Sequence, residues 1–192
     1  MIAPLVRSGL GFVLVILPVT GVLGIMAWAL LQSDGNPGSF GINKVFGEVP
    51  IEEREAPSIS LDLLDGGTLE LSEFKGKLVM VDFWSSWCPP CIEEAPVLAS
   101  VYTEYANRDV EFIGIAIWDD YQEVQRYVDR AGFAYHNGID SRGIMAVSYG
   151  VRGLPEKYFI DASGKLIRKF IGPVTEDKLR AILDELIENE KR

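Results

Sequence analysis

Histidine and cysteine are scarce: His136 is the sole histidine, and Cys88 and Cys91 the sole cysteines, in 192 residues. That excludes zinc modules built on four Cys or His ligands, and it excludes a scaffold stapled by several disulfides. Basic residues are few, with 18 Lys/Arg against 28 Asp/Glu and a formal net charge of −10. Such a balance argues against a nucleic-acid partner, because phosphate binding needs a basic face. Internal repeats, low-complexity stretches and glycine-rich phosphate loops are missing; Gly9-Leu10-Gly11 merely precedes a long apolar run. No flavin or nicotinamide motif is present. What remains is ordinary for a folded chain, 24% charged and 48% hydrophobic residues.

Charge is absent altogether from Leu10 to Leu31. As a helix, these residues would extend roughly 33 Å, enough for a bilayer core. Pro18, Gly21 and Gly24 are tolerated in such a span, and Trp28 falls where interfacial aromatics sit. Arg7 precedes the run, whereas Asp34, Glu48, Glu52, Glu53 and Glu55 follow it. The expectation is a cytoplasmic N-terminus (1–9) and a transmembrane anchor (10–31), which also makes the membrane a partner. A single-pass membrane protein follows, with everything after residue 31 on the extracytoplasmic side. A cleaved signal peptide is the competing reading, but Ala29-Leu30-Leu31-Gln32-Ser33 is a poor cleavage site. Residues 32–57, with Gly35-Asn36-Pro37-Gly38-Ser39 and Glu52-Glu53-Arg54-Glu55, read as a tether; if flexible it reaches roughly 25–30 Å. Alternatively, Phe40, Ile42, Val45 and Phe46 pack onto the domain that occupies 58–192.

That domain opens with Ile59–Leu64 and Thr68–Leu71 flanking Asp65-Gly66-Gly67, a hairpin pattern. Lys77–Trp84 is a nearly continuous apolar run, as in a buried central strand. A helical stripe follows Cys88, and Val110–Trp118 is a second buried strand whose Phe112 and Trp118 read as core aromatics. Asp119 and Asp120 start a helix that ends before Gly132; a strand around Tyr135–Ile139 and a short helix over Arg142–Tyr149 come next. Lys157–Ile160 and Leu166–Ile171 form a second hairpin, and Thr175 caps a last helix with Leu179, Ile182, Leu183, Leu186 and Ile187 on one face. This order indicates an α/β fold in three layers, a mixed central sheet covered on both faces.

Trp87-Cys88-Pro89-Pro90-Cys91 sits between a buried strand and a helix. Two cysteines three apart across a first helical turn can close into a small disulfide ring and reopen without large backbone movement. Cys88 at the helix N-terminus is favoured as thiolate, hence the attacking nucleophile, and Cys91 resolves the mixed disulfide. The two sulfurs would carry the electrons, with no other cofactor and no metal. His136 has no partner for metal or triad work.

Val81-Asp82-Phe83-Trp84-Ser85-Ser86-Trp87-Cys88-Pro89-Pro90-Cys91, with Pro96 five residues on, resembles the thioredoxin superfamily. The N-terminal apolar run, the hairpin within Ala56–Leu71 and Tyr149-Gly150-Val151-Arg152-Gly153-Leu154-Pro155-Glu156 are similar to the narrower TlpA/ResA/CcmG (DsbE) group. The resemblance covers about residues 56–190. It implies a thioredoxin-like fold with an extra N-terminal hairpin, and a βα insert between Trp118 and Ile139. It also implies thiol–disulfide oxidoreductase activity of the cytochrome c maturation type. Apocytochrome c or its chaperone would be the substrate, and a transmembrane thiol donor of the CcdA/DsbD type would supply electrons. Pro155 falls at the superfamily's cis-proline, leaving the backbone of Leu154 free for an extended substrate segment. Asp82 matches a buried acid proposed to accept a proton from the second thiol, the reading preferred here over a hydrated strand end. Glu94 matches an acid near the pair, against a plain helix-terminus role that Glu93 shares. Glu156 matches a groove-shaping Pro-Glu, against an ordinary exposed carboxylate, and Trp87 reads as a docking surface beside Cys88.

Pro89 and Pro90 lack N–H donors toward the sulfur, and Asp82, Glu93 and Glu94 add negative charge. Both disfavour thiolate, so a reducing couple is expected. The alternatives are an oxidant or isomerase of envelope disulfides, a non-enzymatic metal- or haem-handling module, and a peroxidase, whose Pro-x-x-x-Thr/Ser-x-x-Cys pattern is not met before Cys88.

Overall fold

The computed structural model describes residues 9–32 and 41–190, with the side chains of 9–14 and 29–32 set aside. Two units are distinguished, dividing between Phe40 and Gly41. The first holds helix α1 (Gly9–Gln32), which runs through Pro18; Thr20 Oγ1 donates to the Ile16 carbonyl at 2.9 Å. Among the described residues no helix is long and apolar enough to cross a membrane. The expected transmembrane anchor at 10–31 therefore does not stand. With it fall the single-pass membrane location, the extracytoplasmic placement of the domain, and the membrane as a partner. The reading of residues 1–9, except Gly9, and of 33–40 lies outside the described residues.

The second unit begins with extended chain. Short strands β1 (Gly47–Val49) and β2 (Arg54–Glu55) precede a hairpin of β3 (Ser60–Asp62) and β4 (Thr68–Glu70) and a 3₁₀ turn at Leu71–Phe74. Then come β5 (Leu78–Trp84), α2 (Pro89–Tyr105), β6 (Val110–Ala116), α3 (Tyr121–Ala131), β7 (His136–Ile139) and α4 (Ile144–Tyr149). The chain closes with β8 (Glu156–Ile160), β9 (Lys165–Ile171) and α5 (Glu176–Glu190).

The main sheet runs β1-β9-β8-β5-β6-β7, with β2 also on β9. Strands β5, β6 and β7 are parallel, whereas β8 is antiparallel to β5 and to β9. This is the expected mixed sheet, and both hairpins and the βα insert lie where the sequence placed them. Strand β5 is buried along its whole length because it is paired on both edges and covered on both faces. Leu78 and Met80 pack with Leu98 and Val101 of α2 and Leu179, Ile182 and Leu183 of α5. Val79, Val81 and Phe83 belong to the other cluster, with Leu61 and Leu69 of the small hairpin, Val124 of α3 and both cysteines.

Two departures concern the edges. The stretch read as a tether runs along the domain from Gly41: β1 and β2 pair with β9, Ile42 bridges Leu154, and Ala56 N–H donates to Gly164 at 3.0 Å. Of the residues expected in the alternative to pack onto the domain, Ile42 is half-buried against Leu154, whereas Val45 and Phe46 are exposed and Phe40 lies outside the described residues. Trp118 is not a core strand aromatic. Strand β6 ends at Ala116, Trp118 turns out of it with φ +54°, and it is half exposed, whereas Phe112 is buried.

The small hairpin docks on β7 through close backbone approach. Leu64 N–H donates to Asn137 at 3.0 Å, and a Cβ on Gly138 would overlap the Asp62 carbonyl and the Leu61 side chain. Gly138→Ala is expected to cost about 1–3 kcal/mol through this overpacking. The loss should appear in denaturant unfolding, together with faster hydrogen exchange at the Leu64 amide.

Candidate active site

Strand β5 ends at Trp84 and α2 begins at Pro89 after four intervening residues, so the chain turns sharply at the sheet's C-terminal edge. That turn is tied to the segment after β6. Ser85 Oγ donates to the Ile117 carbonyl, Ser86 N–H donates to Asp119 Oδ2 at 2.6 Å, and Trp87 Nε1 donates to Trp118 O at 2.9 Å. Cys88 is the N-cap of α2 with extended backbone, and Pro89 and Pro90 fill the first two helical positions. Proline suits these places, where N–H groups have no intrahelical acceptor. The result is that neither residue offers a donor to Cys88 Sγ. Cys88 and Cys91 form a disulfide with Cα atoms 5.3 Å apart. Both are buried, Cys88 completely, while Trp87, Ile92 and Trp118 form an exposed apolar rim at 38%, 39% and 49%.

Behind the pair lies a group of buried charges. Antiparallel register sets Asp82 on β5 opposite Lys157 on β8, and cross-strand neighbours on one face are within reach of each other. Glu94 lies three residues after Cys91 on α2, on the same helical face. Lys157 Nζ pairs closely with Glu94 Oε1 and stands 3.2 Å from Asp82 Oδ1. The second contact is an ion pair without hydrogen-bond alignment, since Asp82 Oδ1 has no hydrogen-bond partner. Glu94 Oε2 accepts from the Val174 amide at 2.9 Å. Burial pushes the Asp82 carboxyl up, against the pull of the Lys157 ammonium. Burial likewise lifts Glu94 to about 7; Lys157 opposes this and the Asp82 charge adds to it. The two carboxylates hold Lys157 above its usual value although its own burial works the other way. One ammonium therefore serves two carboxyl groups, and a proton is readily kept on the pair near neutral pH.

The hydrated reading of Asp82 is thus incorrect, since the residue is only 3% exposed, and Glu94 is not a mere helix-terminus charge. Glu156 is also fully buried. It alternates with Lys157 along β8 and so points to the opposite face, away from Asp82 and Glu94. There it takes hydrogen bonds from Tyr158 OH at 2.7 Å and the Arg152 amide at 3.3 Å, and an ion pair from Lys169 at 2.8 Å. These neighbours help line a cavity of about 870 Å³ roofed by residues 43–54. His136 is exposed at the start of β7, with its ring 6.0 Å from Phe74.

The Leu154–Pro155 peptide is cis, and both residues are buried just before β8. The Leu154 backbone is not free, however. Its N–H donates to Gly41 O at 2.6 Å, its carbonyl accepts from Asn43 N–H at 2.9 Å, and Asn43 Nδ2 donates to Pro155 O at 3.0 Å. Sequence reasoning missed three participants here: Lys157, Trp118 and the Gly41–Asn43 segment. For Lys157 a signal existed, a lysine inside the otherwise buried Glu156–Ile160 run. For the other two, nothing local marks the partner.

A cysteine pair bridging a strand–helix junction, with a cis-proline loop at the head of the antiparallel neighbour strand, defines a thiol–disulfide oxidoreductase on a thioredoxin-like fold. The chain belongs to the Redoxin family, whose model matches residues 52–187. It is 35% identical over 136 residues to the thiol-disulfide oxidoreductase ResA of Halalkalibacterium halodurans, covering 71% of this chain and 77% of that protein. To ResA of Bacillus subtilis it is 30% identical over 162 residues, covering 83% and 87%. A thiol:disulfide interchange protein of the thioredoxin family from Chlorobium tepidum superposes with a TM-score of 0.66 at 28% identity, over 72% of this chain and 99% of that one. The protein is thus a ResA-like member of the thioredoxin superfamily.

A carboxyl whose pKa is higher in the native than in the unfolded state retains an extra native proton between the two values, so stability falls as pH rises through that window. For Glu94 the window runs from its usual 4.5 to about 7. Glu94→Gln should remove up to about 3 kcal/mol of this decline. Unfolding titrations of both proteins at pH 4.5, 6 and 8 measure it; parallel pH profiles would refute the assignment.

Proposed function

We propose that the protein reduces disulfides of client proteins in cytochrome c maturation, with apocytochrome c or its chaperone as client and a thiol donor of the CcdA/DsbD type restoring the dithiol. Cys88 thiolate attacks one sulfur of the client disulfide, forming a mixed disulfide and releasing the client's other sulfur as thiolate, which takes a proton. Cys91 loses its proton, its sulfur attacks Cys88 Sγ, and the second client thiol departs. Two electrons pass to the client, and the Cys88–Cys91 disulfide remains. Asp82, with Glu94 coupled to it through Lys157, is the proposed acceptor for the Cys91 proton. A carboxylate whose proton affinity is raised by burial suits that step. Trp87 supplies apolar docking surface beside Cys88, Leu154 and Pro155 supply the client's backbone contacts, and Glu156 shapes the neighbouring cavity wall. The sulfurs carry the electrons without a further cofactor.

The observation that carries the reducing direction is the N-cap itself. An oxidant needs a strongly stabilised Cys88 thiolate. Here Pro89 and Pro90 remove two donors, and the buried carboxyls outnumber their ammonium counter-charge. The relatives named ResA support the same class of chemistry.

Equilibration with thiol buffers should place the couple nearer thioredoxin, at about −270 mV, than DsbA, at about −120 mV. A value at the oxidising end would reverse the direction. Cys88→Ala should abolish insulin reduction, whereas Cys91→Ser should accumulate a mixed disulfide whose captured protein identifies the client. Capture of a protein unconnected with cytochrome c would move the assignment to general disulfide reduction.

A further inference from the structure

The backbone groups of Leu154 already carry a strand, and that strand belongs to the same chain. We propose that Gly41–Asn43 occupies in cis the position where an extended segment of client polypeptide binds, so that strap and client compete for one set of hydrogen bonds. This rests on the reading that client proteins are substrates of the Cys88–Cys91 pair.

Ile42 forms a parallel bridge with Leu154, whose N–H and carbonyl are taken by Gly41 O and Asn43 N–H at 2.6 and 2.9 Å. Asn43 then uses its side-chain amide on Pro155 O at 3.0 Å. The fit depends on small residues on both sides. A Cβ on Gly153 would come within 2.5 Å of Asn43 Oδ1, and a Cβ on Gly41 would come within 3.1 Å of the Trp118 ring and 3.8 Å of Trp87. Gly41 also has φ +86°, a conformation that glycine adopts at little cost. The strap thus reaches the tryptophan rim of the disulfide, and with it seated Cys88 has no exposed surface. Its hold is modest: three hydrogen bonds up to Asn43, then exposed Lys44 and Val45 before pairing resumes at Gly47. A client offering the same groups exchanges bond for bond, which is how an edge position accepts an added strand. The pattern also defines that client: an extended segment, parallel to Leu154, with a small residue against the indoles and a side-chain amide two positions on.

Full-length oxidised protein carries the test. Hydrogen exchange at the Leu154 amide of this form reads the strap, and KM for insulin disulfides, measured with dithiothreitol regenerating the Cys88–Cys91 dithiol, reads client access. Asn43→Pro removes the Asn43 N–H and its amide side chain together. It should speed Leu154 exchange about tenfold, the factor that one to two neutral hydrogen bonds carry, and lower KM several-fold. Asn43→Ala should do the same more weakly, and Val45→Ala should do neither. The peptide Gly-Ile-Asn-Lys-Val-Phe, added to Asn43→Pro, should restore protection at Leu154 and compete with insulin. Rapid Leu154 exchange in the unmodified protein, an Asn43→Pro variant with a freed amide but unchanged KM, or a peptide that neither protects nor competes would each overturn the proposal. Failure of the unmodified protein to reduce insulin would count instead against the client-reductase reading, and peptide protection at Leu154 would still decide where a strand binds.

Discussion

Burial of β5 on both faces and both edges is the constraint from which the site follows. A strand so enclosed has nowhere to place a polar side chain without a partner, yet it carries Asp82 in its interior. The antiparallel neighbour β8 answers with Lys157 at the opposing register position, and α2, packed on the same face, adds Glu94. The strand's end then sets the position of Cys88, because α2 can cover that face only by starting immediately beyond Trp84. The redox pair and the buried charge group are therefore two consequences of one strand–helix junction.

The same sheet separates two kinds of chemistry by simple alternation. Lys157 and Glu156 are adjacent in sequence but lie on opposite faces of β8, one joining the carboxyls behind the disulfide, the other closing a cavity beneath residues 43–54. The β8 strand starts at the cis-proline loop, so whatever pairs with Leu154 lies between these two environments. In this structure its occupant is the chain's own Gly41–Asn43. Those hydrogen bonds fall on the backbone of the cis-proline loop, beside the tryptophan rim of a fully buried Cys88.

Much of the fold was legible because its signals are local. The apolar run 78–84, the glycine turns of both hairpins and the Asp120 cap of α3 each act over a few residues, and each element formed where it was expected. Trp118 misled because an aromatic at the end of an apolar run looks like its continuation. The strand stops two residues earlier, since Ser86 and Trp87 bind the turn that follows it. The uncharged run 10–31 gave the expected helix, but among the described residues no helix is long and apolar enough to cross a membrane.

The order of residues alone determined the chemistry: two thiols one helical turn apart, capped by prolines at the mouth of a buried strand, follow from covalent spacing and backbone preference. Tertiary structure alone decided the surroundings. Which ammonium meets Asp82 and Glu94 and which segment lies on Leu154 are pairings across 63 to 113 residues of sequence, and which face receives Glu156 is a matter of where β8 sits in the sheet. Such pairings are set by strand register and by which backbone donors remain unsatisfied once the sheet closes, and no local pattern encodes either.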